Sequence, residues 1–324
     1  MKIAILDDYQ NTVKDLDSYA LLEGHDVTVC NDTPTDPAIL HERLADTEAL
    51  ILIRERTIIT DDLLSHLPQL KLISQTGKIS NHLDLATCTK HGVAVAEGRG
   101  SPVAPSELCW ALIMAATRHI VPYATNLTNN QWQDSGNAGL GRTLKGLTLG
   151  IWGYGKIGQR IARYGEAFGM NILVWGSETS RQKAIDNGCS AASTKTEFFQ
   201  TADIISLHLR LNEATRACVT AEDLQQMKTD ALIVNTSRAE LIEANALAEA
   251  LQAGRPGFAA IDVYEQEPAN TDNSQLLAMD NVLCSPHIGY VEQNSYELYF
   301  QIAFENVVAF AEGEAVNIAN PEVL

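Results

Sequence analysis

The segment Leu147–Gly169, LTLGIWGYGKIGQRIARYGEAFG, decides how this chain is read. An apolar run, LTLGIW, leads into glycines spaced G-x-G-x-x-G at Gly153, Gly155 and Gly158. Ile157, Ile161, Ala162 and Gly165 then recur at helical spacing. In a strand–turn–helix of this kind the first glycine permits a tight turn and the second lets backbone approach a pyrophosphate. The third lets the helix pack close on the strand. The helix N-terminus adds free N–H groups and a positive dipole end. The spacing therefore predicts a dinucleotide cradle over Gly153, Tyr154, Gly155, Lys156, Ile157 and Gly158.

The strand that follows, NILVW, should end in an acid for the adenosine ribose hydroxyls, about 20 residues past the cradle. Gly176 falls at that position, followed by Ser177, Glu178, Thr179, Ser180 and Arg181. Hydroxyls and an arginine in place of a carboxylate suit a 2′-phosphate. The expected cofactor is NAD(P), with a slight lean to NADP through Ser177 and Arg181. In the alternative, Glu178 serves NAD and Arg181 is a solvated helix residue.

Short apolar runs alternate with helical patterns on both sides of the cradle. KIAIL, VTVC, ALILI, KLIS and VAVA precede it, and NILVW, DIISLH, ALIVN, GFAAID and NVLC follow. Continuous apolar strands with intervening helices indicate parallel sheet covered on both faces. Thr60 before Asp61 and Asp62 marks a helix start that Pro68 closes. SPVAPSELCWALIMAATRHI, from Ser101, reads as one long buried helix separating the two series. The fold class is α/β, with two doubly wound parallel-sheet units and the C-terminal helix returning to the first.

With 324 residues the chain can bury one large core or two ordinary ones. Its formal charge of −18 argues against nucleic acid or anionic membrane partners. Six scattered cysteines without metal-ligand spacing fit a reduced, cytoplasmic protein. MKIAILDDYQ meets acids too early for a signal peptide, and no apolar run approaches a membrane span.

Three charged groups stand just past strands of the second series. Arg238 follows ALIVNTS, Glu267 follows FAAIDVYEQ and His287 follows NVLCSP. Ligands of open α/β sheets bind beyond the carboxyl ends of strands, so the three can converge. Carbonyl reduction needs a hydride donor, a proton donor and a cation for the substrate carboxylate. Histidine titrates near neutrality, a neighbouring carboxylate raises its pKa, and an Arg fork holds a carboxylate. If His287 is the acid, reduction weakens and alcohol oxidation strengthens as pH rises.

GIWGYGKIG, NTSRAELIE, AAIDVYEQEP and SPHIGY, in this order, resemble the D-isomer-specific 2-hydroxyacid dehydrogenases. SQTGKISNHLDL and SELCWALIMAATR extend the resemblance into the first half. It implies a flavodoxin-like substrate domain over residues 1–100 plus 291–324, into which a Rossmann NAD(P) domain over 101–290 is inserted. It also implies a homodimer formed around the helix after Ser101. Arg238 then corresponds to the substrate-binding arginine, His287 to the acid/base, and Glu267 to the carboxylate that orients His287 and raises its pKa. Asp262 corresponds to a contact with the nicotinamide amide, and Thr236, Ser237, His208 and Gly289 lie beside the cofactor. The loop over Gly77, Lys78 and Ile79 corresponds to the segment whose amides meet the substrate carboxylate. Arg54 shares that cleft or lies on the surface, and Lys78 contacts substrate or is a solvated loop lysine.

The implied reaction interconverts a 2-oxo acid and an (R)-2-hydroxy acid, with domain closure excluding water. Two alternatives stand beside it. One is a 3-phosphoglycerate dehydrogenase, here with no room after Leu324 for a regulatory domain. The other is a non-catalytic NAD(H)-sensing scaffold. Ala239 and Arg210 depart from the family pattern, which has glycine and proline there.

Overall fold

The structure, a computed structural model, describes residues 1–34 and 36–324. The chain forms two compact units, Met1–Ser101 with Val291–Leu324, and Pro102–Tyr290. Among the described residues, the first unit holds five parallel strands. They are β1 (Lys2–Ile5), β2 (Asp26–Val29), β3 (Ala49–Leu52), β4 (Leu72–Gln75) and β5 (Ala94–Ala96). Their order, β2-β1-β3-β4-β5, is that of a flavodoxin-like doubly wound sheet. Every residue of β3 and β4 is buried, as expected of strands with both faces covered, whereas the edge strand β2 alternates. Thr60 caps the helix Asp61–Ser65 by accepting from the Leu63 amide at 3.1 Å. The helix Gln293–Ala311 returns to this unit, burying Phe300 and Phe304, and the β4 hydroxyl of Ser74 donates to its Ala303 carbonyl at 2.8 Å.

The second unit carries seven parallel strands among the described residues. These are β6 (Thr148–Trp152), β7 (Asn171–Trp175), β8 (Ser190–Ala191), β9 (Ile204–Leu207), β10 (Leu232–Asn235), β11 (Phe258–Ile261) and β12 (Val282–Cys284). They are ordered β12-β11-β10-β9-β6-β7-β8. The order reverses between β6 and β9, so the crevice at their carboxyl ends is the topological switch point where such sheets bind ligands. Two fully apolar layers flank the sheet, one around Phe198, Phe199 and Leu251 and the other around Ile113, Ile161 and Leu149.

The helix expected through Ile120 is broken. It spans Val103–Thr117, and a second helix runs Ile120–Thr128. His119 lies between them in the left-handed region, φ 51°, which no helix tolerates at an interior position. The two-residue β8 escaped the sequence reading because so short a strand carries no periodicity.

Candidate active site

The glycine loop leaves β6 at the switch point and opens the helix Lys156–Ala167. Gly153 has φ +102°, and a Cβ there would meet the His208 carbonyl oxygen at 2.6 Å. Gly158 lies so close under the turn that a Cβ would stand 2.1 Å from the Gly153 oxygen. Nothing lies within 4 Å of the Cβ position of Gly155, which leaves backbone exposed for a ligand. A tight turn, an open middle glycine and an uncapped helix N-terminus are what a dinucleotide pyrophosphate requires, so the cradle fits the cofactor. Lys156 and Ile157 form its first helical turn. Tyr154 contributes main chain only: its ring is buried, with its hydroxyl 3.5 Å from Cys189 Sγ and accepting from Asn187 at 3.4 Å.

Gly176 follows β7 with φ +149°. The Ser177 hydroxyl caps the next helix by accepting from the Ser180 amide at 3.2 Å. Arg181 folds back from that helix and lays its guanidinium over Trp175, 5.0 Å from the ring centroid. This cation–π contact holds the arginine beside the end of β7 rather than in solvent, with Nε buried and without a hydrogen-bond partner.

His208 follows β9, tied to the cradle strand through its amide, which donates to the Trp152 carbonyl at 2.8 Å. Its Nε2 lies 2.9 Å from the Ser206 hydroxyl, which in turn is 3.3 Å from Cys109 Sγ. Burial pulls the imidazole down to about 4, so it is neutral at physiological pH. Its Nδ1 is buried with no hydrogen-bond partner among the described residues.

Past β10 the chain turns at once. The Ser237 hydroxyl donates to the Leu207 carbonyl at 2.7 Å, and the Asn235 side-chain amide donates to the Arg238 carbonyl at 2.8 Å. Thr236 lies within this turn. Arg238 donates through Nη1 to its neighbour's carbonyl, Ser237, at 2.6 Å, which folds the guanidinium back over the strand end.

Glu267 and His287 stand on the segments that follow β11 and β12. Glu267 Oε2 lies 2.7 Å from His287 Nδ1, while Oε1 accepts from the Tyr264 amide at 3.0 Å. A carboxylate can only accept here, so the proton sits on Nδ1 and the Nε2 atom is the one presented outward. His287 itself has φ +51°, an unusual conformation for a residue with a side chain, and its ring meets Tyr290 edge-on at 5.7 Å. The turn is held from beneath by Asp262, which is 1% exposed. Its Oδ1 accepts from Ser285 at 2.6 Å and from the Ile288 amide at 2.9 Å, and Oδ2 accepts from the Gly289 amide at 2.9 Å. Burial pushes the Asp262 carboxyl up, and these donors pull it back. These three bonds anchor the turn that carries His287. Gly289 enters the same network through its amide.

The first unit has its own strand-end cluster. Arg54, at φ +52°, follows β3 and donates to the Thr76 carbonyl at 3.2 Å. Its guanidinium lies where a Cβ on Gly77 would come within 1.9 Å of Nη1, so Gly77 cannot be replaced without moving it. Lys78 and the Ile79 amide both point to Glu97: Lys78 pairs with Oε2, and Ile79 donates to Oε1 at 3.0 Å. Motif reasoning gave no sign of Glu97, because nothing in sequence links it to the loop.

Elsewhere among the described residues, His41, Asp62 and His66 bring metal-capable atoms within 4.8 Å of one another. The two imidazoles stack at 4.0 Å with planes 11° apart. Lone pairs lie in the ring planes, so near-parallel rings do not converge on one ion. All six cysteines are free, and among the described residues no helix is long and apolar enough to cross a membrane.

The switch-point crevice and its glycine cradle define a dinucleotide-binding α/β protein. A model of the D-isomer specific 2-hydroxyacid dehydrogenase NAD binding domain matches residues 110–289. A glyoxylate reductase of Thermococcus litoralis is 32% identical over 313 residues, 93% of this chain and 92% of that protein. The crystal structure of a phosphoglycerate oxidoreductase from Vibrio cholerae O395 superposes with TM-score 0.95 at 63% identity, covering 97% of this chain and 99% of the other. A putative D-3-phosphoglycerate dehydrogenase from Ralstonia solanacearum superposes with TM-score 0.97 at 53% identity, over 100% and 98% of the two chains. The chain belongs to the D-isomer specific 2-hydroxyacid dehydrogenase family, whose chemistry is hydride transfer between a nicotinamide cofactor and a 2-oxo/2-hydroxy acid pair.

Proposed function

We propose that the protein reduces a short 2-oxo acid to the (R)-2-hydroxy acid, with Arg238, Glu267 and His287 as its working groups. The observation that carries this reading is the 2.7 Å His287–Glu267 pair on a turn fixed by Asp262, one strand position from Arg238. Gly153, Gly155 and Gly158 would hold the pyrophosphate of a nicotinamide dinucleotide, which would supply the hydride. Glu267 accepts from Nδ1–H, and in the imidazolium form the Nε2 proton passes to the carbonyl oxygen as negative charge develops there, which leaves the neutral Nδ1–H ring. Arg238 offers a planar fork to the substrate carboxylate. In this reading residues 101–290 form the cofactor domain, and residues 1–100 with 291–324 the substrate domain. Arg54 and the loop over Gly77, Lys78 and Ile79 contribute to substrate binding.

NADP is the preferred cofactor in this reading. The absent carboxylate at Gly176 and the Arg181 guanidinium stacked on Trp175 support it. Asp262, Thr236, Ser237, His208 and Gly289 line the nicotinamide end, Asp262 acting chiefly by holding the His287 turn. The protein is a cytoplasmic homodimer in this account. The second copy is supported by exposed apolar side chains after the broken helix, Trp132 at 78% and Leu140 at 90%.

A second reading is oxidation of 3-phosphoglycerate. The name of the Vibrio cholerae relative and the two arginines past β3, Arg54 and Arg56, favour it. The test is a panel of glyoxylate, hydroxypyruvate, pyruvate, longer 2-oxo acids and 3-phosphohydroxypyruvate with NADH and NADPH. Turnover of the short acids, faster with NADPH, supports the first reading, and turnover of the phosphorylated acid alone supports the second. No turnover alongside tight dinucleotide binding overturns both in favour of a sensor.

A further inference from the structure

We infer that Glu97 is a positioning residue for the substrate loop and cancels the charge of Lys78, which restricts that loop to monoanionic 2-oxo acids. The inference rests on the proposed role of residues 77–79. Glu97 follows β5, where its own backbone is pinned from two sides. Its amide donates to the Asn317 carbonyl at 2.9 Å, and its carbonyl accepts from the Asn306 side chain at 3.4 Å. Asn306 is 1% exposed and is itself held by Asn317 at 2.8 Å. The carboxylate is thus delivered from a fixed base.

From there it reaches across to the loop. Oε1 takes the Ile79 amide and Oε2 the Lys78 ammonium. Next to it, the Gly98 amide donates to the Gly77 carbonyl at 2.7 Å. Gly98 passes so close that a Cβ there would lie 2.6 Å from the Gly77 nitrogen. The segment over Glu97 and Gly98 therefore clamps residues 77–79 from one side while Arg54 lies against Gly77.

Two consequences follow from this geometry. The Ile79 amide, expected to meet the substrate carboxylate, is already committed to Glu97. The Gly77 and Lys78 amides have no hydrogen-bond partner among the described residues and are the loop donors left for a substrate. The Lys78 ammonium, in turn, is paired with a carboxylate and offers no net charge to a second anionic group on a substrate. Glutamate does both jobs. Glutamine keeps an oxygen for the Ile79 amide but frees the lysine charge, and alanine removes both contacts.

The experiment uses the full-length protein and the variants Glu97→Gln, Glu97→Ala and Lys78→Met. Hydrogen exchange of the peptide over residues 76–80 is followed first, because it needs no turnover. Exchange should rise in Glu97→Ala by about an order of magnitude, the loss of one amide hydrogen bond, and stay near the parent value in Glu97→Gln. KM is then compared for glyoxylate and 2-oxoglutarate. Glu97→Gln should lower KM for the dianion by about fivefold relative to the monoanion, an exposed charge pair's worth of free energy. Lys78→Met, combined with Glu97→Gln, should abolish that shift. Unchanged exchange in Glu97→Ala overturns the positioning role. A KM ratio indifferent to Glu97→Gln overturns the charge role. A parent that reduces no 2-oxo acid would instead overturn the function proposed above, while the exchange result still decides whether Glu97 holds the loop.

Discussion

Replacing Asp262 by Asn should loosen the turn that presents His287, and the size of the effect can be worked from its contacts. The parent carboxylate accepts from Ser285, Ile288 and Gly289 within 2.9 Å. An amide presents one oxygen and one NH2. With the oxygen in place of Oδ1, Ser285 and Ile288 keep an acceptor, and the NH2 faces the Gly289 amide donor to donor. Loss of one charge-assisted bond costs about 1.5–3 kcal/mol, and the repelled amide adds to it. The substitution also removes a buried charge whose desolvation is unfavourable, as its raised carboxyl shows, which returns part of that cost. The net loss is about 2 kcal/mol. In a unit of this size that lowers Tm by about 4–8 °C. A His287 turn displaced by a fraction of an ångström should lower kcat by about 10–100-fold. Differential scanning calorimetry and steady-state reduction of glyoxylate measure the two effects. A variant melting within 1 °C of the parent with kcat within about twofold would show that Asp262 does not hold the turn.

Further outcomes follow from other contacts. Gly155→Ala should melt like the parent, since its Cβ meets nothing within 4 Å, yet lose dinucleotide affinity by fluorescence titration. Gly158→Ala should instead destabilise the fold, because its Cβ would stand 2.1 Å from the Gly153 oxygen. Equal melting of the two variants would contradict the packing read at the cradle. His208 is held down to about 4 against an unfolded value near 6.5, so the unfolded chain binds the extra proton between those values. Stability should therefore fall as pH drops from about 6.5 to 4, by up to roughly 3 kcal/mol, and His208→Gln should flatten urea-midpoint profiles across that window. Arg181→Gln should weaken NADPH at least tenfold and leave NADH within about twofold, since a 2′-phosphate pairing with a stacked guanidinium is worth more than 1.4 kcal/mol.

Every strand but β8 was legible, and the central ones most clearly, because they lie between covered faces and read as unbroken apolar runs. β3, ALIL, and β10, LIVN, are buried at every residue. The cradle was legible because its three glycines each answer a separate steric demand. The helix break at His119 was not, because nothing in MAATRHIVPY shows a left-handed residue before Ile120. Tyr154 appeared as part of the cradle, yet its ring turns into the core, a choice made by packing against distant residues. Glu97 and Asp262 act on groups 18–19 and 23–27 positions away. Pairings of that kind are set by which strand ends the topology brings together, and a local pattern does not carry them.

His287, oriented by Glu267, is expected to supply the proton for reduction of a 2-oxo acid. Parent and His287→Ala proteins should be compared for glyoxylate and hydroxypyruvate reduction under saturating NADPH, with dinucleotide affinity measured on the same samples. General acid catalysis accounts for about 10²–10⁴-fold, so kcat should fall by that factor while cofactor affinity stays within twofold. Near-parent reduction by His287→Ala, with the cofactor still bound, would rule out His287 as the proton donor.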